Sequence, residues 1–137
     1  MNGGTLIRVV PKTLFDFAYL PAGATDSIVV AKAINVIPYS AAYLWVRVYQ
    51  LRIGSGGAVN VTATPALPAD DTQQSFLGTA IAMALTGTAP LLLNASLTSS
   101  NPLPPYFQIA VQGQQNSGTA TNVGVEISID LLVRCCG

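Results

Sequence analysis

The residue types that perform catalysis or bind metals are scarce in this chain of 137 residues, which contains no histidine. Glu126 is its single glutamate, so there are few parts from which to build a nucleophile with its base. Asp70 and Asp71 are the best remaining candidates, because adjacent carboxylates in a proline-rich loop could help to bind Ca²⁺. Such pairs are more typical of a solvated turn or a helix N-cap. We therefore expect no enzyme activity, no cofactor, and neither a catalytic nor a metal site.

The only cysteines, Cys135 and Cys136, are adjacent near the C-terminal end of the sequence. On an extended backbone the Cβ vectors of neighbouring residues diverge, which is poor geometry for a disulfide. No histidine and no second cysteine pair is present to complete a zinc site. The sequence predicts reduced thiols in a protein made in the cytosol.

Charged residues make up 9% of the chain, against about a quarter in ordinary soluble proteins. The formal net charge is zero and the basic residues are scattered singly, which disfavours nucleic-acid binding. We expect Arg47 or Arg52 to pair with Glu126 or Asp130 across neighbouring strands. A charge-poor exterior of small polar side chains is easily desolvated and favours assembly over a merely neutral monomer.

Neither a membrane span nor a secretory signal is predicted. The longest suggestive apolar piece begins at Pro90 and stops at Asn94, well short of the roughly 18 residues that a spanning helix needs. Residues 1–8 lack a basic region followed by an apolar run and a small-residue cleavage site. We expect a protein that is made in the cytoplasm and does not bind membranes.

Short segments that alternate between apolar and polar residues, separated by glycine and proline clusters, predict β-strands and turns. The last segment is the clearest, since six apolar residues share one face: Val123, Val125, Ile127, Ile129, Leu131 and Val133. The opposite face is polar except at Leu132. One face of this strand should therefore lie in the core.

Residues 42–53 form a second strong strand whose apolar phase slips near Tyr49 and Gln50. Either a β-bulge or a passage from one sheet into another would restore the inward direction. Residues 54–57 then supply glycines for a reversal, and residues 59–63 are predicted to return as the partner strand of a hairpin.

Five further strands are predicted, which makes about eight in all. They cover residues 6–10, 14–19, 27–34, 77–85 and 107–112. Alanines in 28–34 and 77–85 would also suit a helix, but the even spacing of the larger side chains favours strands. The predicted fold is all-β: a single domain over residues 1–137, an antiparallel β-sandwich of the jelly-roll type.

Two proline-rich connections, residues 64–75 and 98–105, are long enough to be contact arms or ordinary crossovers between sheets. Residues 1–12 are a third candidate arm. The aromatic residues Tyr43, Trp45 and Tyr49 lie on one strand. An exposed aromatic strip is typical of sugar-binding β-sandwiches, whereas Trp45 in a long apolar strand favours a place in the core or a subunit interface.

The segments at residues 42–48 and 126–134, with the charge-poor strands rich in Thr, Ala and Val, resemble small all-β phage virion proteins, capsid decoration (cement) proteins above all. The resemblance implies a non-enzymatic structural subunit of the virion that forms a trimer or other homo-oligomer and reinforces the shell by binding the major capsid protein. The alternatives are a carbohydrate-binding module and a host-recognition or tail accessory protein. The predicted partner contacts are Leu6, Arg8, Trp45, Arg47, Tyr49, Pro104 and Tyr106.

Overall fold

The computed structural model describes residues 4–53, 56–66, 80–97, 105–115 and 121–135, without the side chains of residues 18, 19, 121 and 122. Within these ranges the chain forms eight β-strands and no helix. The strands are β1 (Thr5–Leu20), β2 (Thr25–Asn35), β3 (Ala41–Arg52), β4 (Gly57–Ala66), β5 (Ile81–Ala84), β6 (Leu91–Ser96), β7 (Tyr106–Gln115) and β8 (Thr121–Arg134).

The strands form two four-stranded antiparallel sheets. Sheet A has the order β1-β8-β3-β6, and sheet B has the order β2-β7-β4-β5. The predicted antiparallel β-sandwich is therefore confirmed. Along the chain the first strands alternate between the sheets, and β8 returns to pair with β1 in sheet A.

The core lies between the two sheets and is built from alternate residues of their central strands. All six apolar residues of the predicted inward face of β8 are at most 1% exposed. Leu44, Val46 and Val48 of β3 and Phe107 and Ile109 of β7 are fully buried in the same cluster. The alternation of apolar and polar residues thus gives each sheet one face that is buried in the core.

The phase slip in β3 is a β-bulge, which was one of the two predicted possibilities. Val48 lies opposite Ile127 and Gln50 lies opposite Glu126, so Tyr49 is the extra residue in the ladder. The bulge returns Leu51 to the inner side, opposite Val125.

The predicted hairpin of β3 and β4 is wrong. Gly56 has the expected positive φ of 81°, but β3 pairs with β6 and β8 while β4 pairs with β5 and β7. The connection therefore crosses from sheet A to sheet B. A reversal signal fixes where the chain turns, whereas the sheet that the next strand joins is set by the packing of the whole core.

Three strand boundaries also differ from prediction. Residues 6–10 and 14–19 belong to one continuous strand, β1, in which residues 5–8 and Val10 pair with β8. A role of residues 1–12 as a contact arm stays a prediction. The segment predicted at 77–85 contributes β5, which is only Ile81–Ala84 in the described residues. Strand β6 was missed because three consecutive leucines, Leu91 to Leu93, hide the alternation that its burial shows.

Pro65, predicted to lie in a connecting loop, is part of β4 and pairs with Phe107 of β7. Pairing between β4 and β5 extends only to Ala63 and Ile81. In the described part of the chain β5 does not extend as far as Pro65, and a missing N–H is tolerated where a strand has no partner on one side. Residues 67–75 and 98–104 of the two predicted arms lie outside the described residues.

The expectation of reduced cysteines is also corrected, because Cys135 is disulfide-bonded. Strand β8 ends at Arg134, so Cys135 lies beyond the strand.

Candidate interaction surface on sheet A

The solvent-facing side of sheet A carries the side chains that β3 does not direct into the core. Because Leu44, Val46 and Val48 are buried, the alternating residues Trp45 and Arg47 project to the opposite side. Trp45 is half-buried there and Arg47 is exposed. Of the two predicted places for Trp45, the core and a subunit interface, the core is wrong, because Trp45 lies on the outer face.

Cross-strand pairing assembles a small cleft around these two residues, which we call the sheet A cleft. Trp45 lies opposite Asp130 of β8 and Asn94 of β6, and Arg47 lies opposite Leu92 of β6. The cleft has a volume of about 170 Å³ and all four strands of sheet A contribute to it. Its lining consists of Leu6, Trp45, Arg47, Leu92 and Asp130.

The walls of the sheet A cleft are apolar and open to solvent. Leu6 of β1 is 59% exposed and Leu92 of β6 is 52% exposed, so the cleft has an exposed aliphatic side chain on each of its two sides. Trp45 adds an indole N–H that is buried without a hydrogen-bond acceptor among the described residues. Uncovered apolar side chains around one cleft are a feature of a surface that a partner covers.

The charges around the sheet A cleft pair differently from prediction. Asp130 forms an ion pair with Arg8, and Lys12 Nζ lies 3.9 Å from Glu126 Oε1. The predicted pairing of Arg47 or Arg52 with these carboxylates is wrong, because β8 lies between β1 and β3 and the side chains of β1 supply the cations. Arg47 makes no ion pair within the described part of the chain.

The aromatic strip on β3 is partly covered by cations. Lys12 Nζ lies 4.7 Å from the centre of the Tyr49 ring, and the Arg134 guanidinium lies 5.7 Å from that of Tyr43. Tyr49 Oη also lies 3.3 Å from Ser128 Oγ. A sugar ring would have to compete with these contacts, so the strip is a poorer stacking platform than its sequence indicates.

Of the seven predicted contact residues, the structure brings Leu6, Trp45 and Arg47 into the sheet A cleft, and Arg8 borders it through Asp130. Tyr49 lies on the same face at the β3 bulge. Tyr106 is elsewhere, since it begins β7 in sheet B. Pro104 lies outside the described residues.

Leu92 and Asp130 line the cleft but were not among the predicted contacts. Asp130 was predicted to lie on the polar face of its strand and to form an ion pair, but not to be a contact residue. Leu92 lies in a run of leucines that gives no indication of which member faces solvent.

Sheet B presents a contrasting exterior without charge on three of its four strands. Strands β4, β5 and β7 contain no charged residue. Five of the six basic residues of the chain lie on sheet A strands, with Lys32 of β2 the exception. The strands of the two sheets therefore differ sharply in the number of charged residues.

Within the described residues there is no group of three or more acidic, histidine or cysteine residues that could hold a metal ion. The proposed Ca²⁺ ligands Asp70 and Asp71 lie outside those residues. In the same ranges no helix is long and apolar enough to cross a membrane.

The fold defines the chain as a two-sheet antiparallel β-sandwich, and comparison with solved structures finds the same fold in particles of infectious bursal disease virus. The T13 viral particle matches with a TM-score of 0.60 at 16% identity, over 99% of this chain and 31% of the other. The VP2 subviral particle matches with a TM-score of 0.57 at 14% identity, over 99% of this chain and 33% of the other.

A third match, the Gx strain of the same virus, has a TM-score of 0.54 at 16% identity and covers all of this chain. This chain spans about a third of the length of these structures. No protein-family description and no curated protein sequence matches the chain. The likeness is therefore one of fold.

Proposed function

We propose that the chain is a non-enzymatic structural subunit of a virus particle that assembles with copies of itself. The observation that carries the proposal is the match of the sandwich, over nearly its whole length, to proteins of viral particles. The strand orders β1-β8-β3-β6 and β2-β7-β4-β5 are those of an eight-stranded jelly roll, an architecture shared by many viral shells.

The surface supports assembly as well. A charge-free exterior on most of sheet B has no ionised groups to desolvate, so covering it costs little. The exposed apolar walls of the sheet A cleft add a second surface that gains from being covered.

In its finer form the proposal is a capsid decoration or cement protein of a phage, trimeric, located in the virion and bound to the major capsid protein. Such a subunit stabilises the lattice because it binds only the assembled form, and many weak contacts add through multivalency. A tail accessory role would use the same surfaces on a different part of the particle.

The first experiment is the mass of the purified protein in solution, measured by light scattering behind size exclusion. We expect a closed oligomer, with a trimer favoured. An oligomer would next be tested for binding to expanded capsids. A strict monomer that binds no capsid would contradict the proposal.

A carbohydrate-binding module is the second candidate, favoured by the position of Trp45 beside an open cleft. Because Trp45 is the only tryptophan, its fluorescence reports directly on ligands there. A saturable response to glycans in a monomeric protein would favour this candidate over a structural subunit.

A further inference from the structure

We propose that the sheet A cleft binds the exposed edge of β2 from a second copy of this chain, with Arg47 of one subunit paired to Asp26 of the next. The inference deepens the proposed function, on which it rests, by naming the partner and the surface. It is carried by three observations: an incomplete cleft, a matching segment on the opposite sheet, and complementary charges left unpaired on each.

The sheet A cleft has no acidic side chain left to pair with Arg47. Its acidic member, Asp130, is already neutralised by Arg8, whereas Arg47 is exposed and has no ion pair in the described chain. The remaining lining is apolar apart from the unsatisfied Trp45 N–H. The chemistry that fits is a carboxylate with an aliphatic neighbour.

The β2 edge supplies that combination. Asp26 is exposed; its carboxylate accepts a hydrogen bond from the backbone N–H of Ser27, 2.9 Å away, and makes no ion pair within the described chain. Ile28 and Val29 beside it are 40% and 46% exposed. Because Asp26 and Ile28 are two residues apart in a regular stretch of pairing with β7, their side chains project to the same side of the strand.

The other acids of the described chain are placed differently. Asp130 and Glu126 have basic partners in β1, and Asp16 lines a depression together with Arg52. Asp26 is thus the one acid of the described chain that lies on sheet B. A cleft of about 170 Å³ exceeds the roughly 150 Å³ that accommodates a benzene-sized group, so one aliphatic side chain fits.

The edge position of β2 makes the contact reachable. Among the described strands β2 pairs with β7 alone and forms the border of sheet B, and such edges readily bind other chains. Since the cleft and the β2 edge are different surfaces, the contact is head-to-tail. It closes into a ring, such as a trimer, when the rotation between neighbours permits.

Charge reversal in the full-length chain tests the pairing. Arg47→Asp and Asp26→Lys should each weaken self-association at least about tenfold, because each places like charges together. The double variant D26K/R47D should restore the wild-type oligomer to within about threefold, since it rebuilds the pair in reverse. Light scattering measures the mass, and acrylamide quenching of Trp45 fluorescence should fall in every associated form.

Arg52→Asp combined with Asp26→Lys is the matched control, because Arg52 lies on the same strand and face but outside the cleft. It should not restore association. Asp26, Arg47 and Arg52 are all exposed, so thermal unfolding should show that every variant folds.

If the single reversals leave the oligomer unchanged, or if the double variant does not restore it, the pairing of Arg47 with Asp26 is wrong. The proposed function as a structural subunit would still stand. A wild-type chain that stays monomeric at every concentration would overturn self-association itself and this pairing with it.

Discussion

Phe17 of β1 and Gly113 of β7 meet across the interior of the sandwich. Phe17 is 2% exposed, and a Cβ built on Gly113 would lie 2.6 Å from its ring carbons. No real Cβ tolerates that separation. Gly113 is therefore required for the packing of an aromatic ring from the opposite sheet rather than for a turn.

Gly113→Ala should lower the free energy of unfolding by about 1–3 kcal/mol, because the Phe17 ring must move within a filled core. Urea denaturation followed by circular dichroism measures the loss. Gly124→Ala is the matched control, since its Cβ would lie at an ordinary 3.6 Å from the Phe15 carbonyl oxygen. Equal stability of the two variants would contradict this account of Gly113.

The outer-face residues show how a sheet groups side chains that are distant in sequence. Leu6, Trp45 and Asp130 belong to three different strands and meet only because β1, β8 and β3 are neighbours. Trp45 and Arg47 share a face by local alternation alone. The candidate site therefore depends both on local alternation along β3 and on the order of the strands in sheet A.

At the scale of elements, the bulge at Tyr49 keeps both halves of β3 facing the core. On β8 the partners of Val48 and Gln50 are consecutive, Ile127 and Glu126. Removing the bulged residue would leave a regular ladder in which no side chain changes sides.

Deletion of Tyr49 should therefore leave a folded protein with a cooperative thermal transition, weakened only by loss of the contacts with Lys12 and Ser128. Deletion of Arg47 should lower stability further, because absorbing it by removing the bulge turns Val48 outward and Tyr49 inward. Loss of a core side chain costs roughly 1.5–3 kcal/mol. Far-ultraviolet circular dichroism during heating distinguishes the two deletions; similar behaviour would show that the bulge does not set the register.

At the scale of the whole molecule, the two sheets share one core. Leu44 and Ile127 of sheet A and Val61 and Ile109 of sheet B belong to the same buried cluster. Neither sheet has another layer to cover its apolar face in the described chain. The sandwich should accordingly unfold as a single unit.

Ile109→Ala in sheet B should lower stability by about 2–5 kcal/mol and shift two probes together. Trp45 fluorescence reports on sheet A, whereas circular dichroism reports on both sheets. We expect coincident urea midpoints in the wild type and in the variant. A Trp45 midpoint that stayed at its wild-type value would mean that the sheets unfold independently.

The sequence by itself determined the all-β class, the inward face of β8 and the position of the β3 bulge. All three follow from the period of two along an extended backbone, which depends on neighbours in the sequence. It also indicated a surface poor in charge.

Only the tertiary structure decided which strands are neighbours. The turn after β3 was visible in the sequence, but whether β4 pairs with β3 or crosses to sheet B depends on how both apolar faces are covered at once. The same holds for the partners of Asp130 and for the sheet A cleft, to which β1 and β6 contribute from opposite sides. Local alternation fixes the direction of a side chain, whereas its neighbours are set by long-range packing that no segment carries alone.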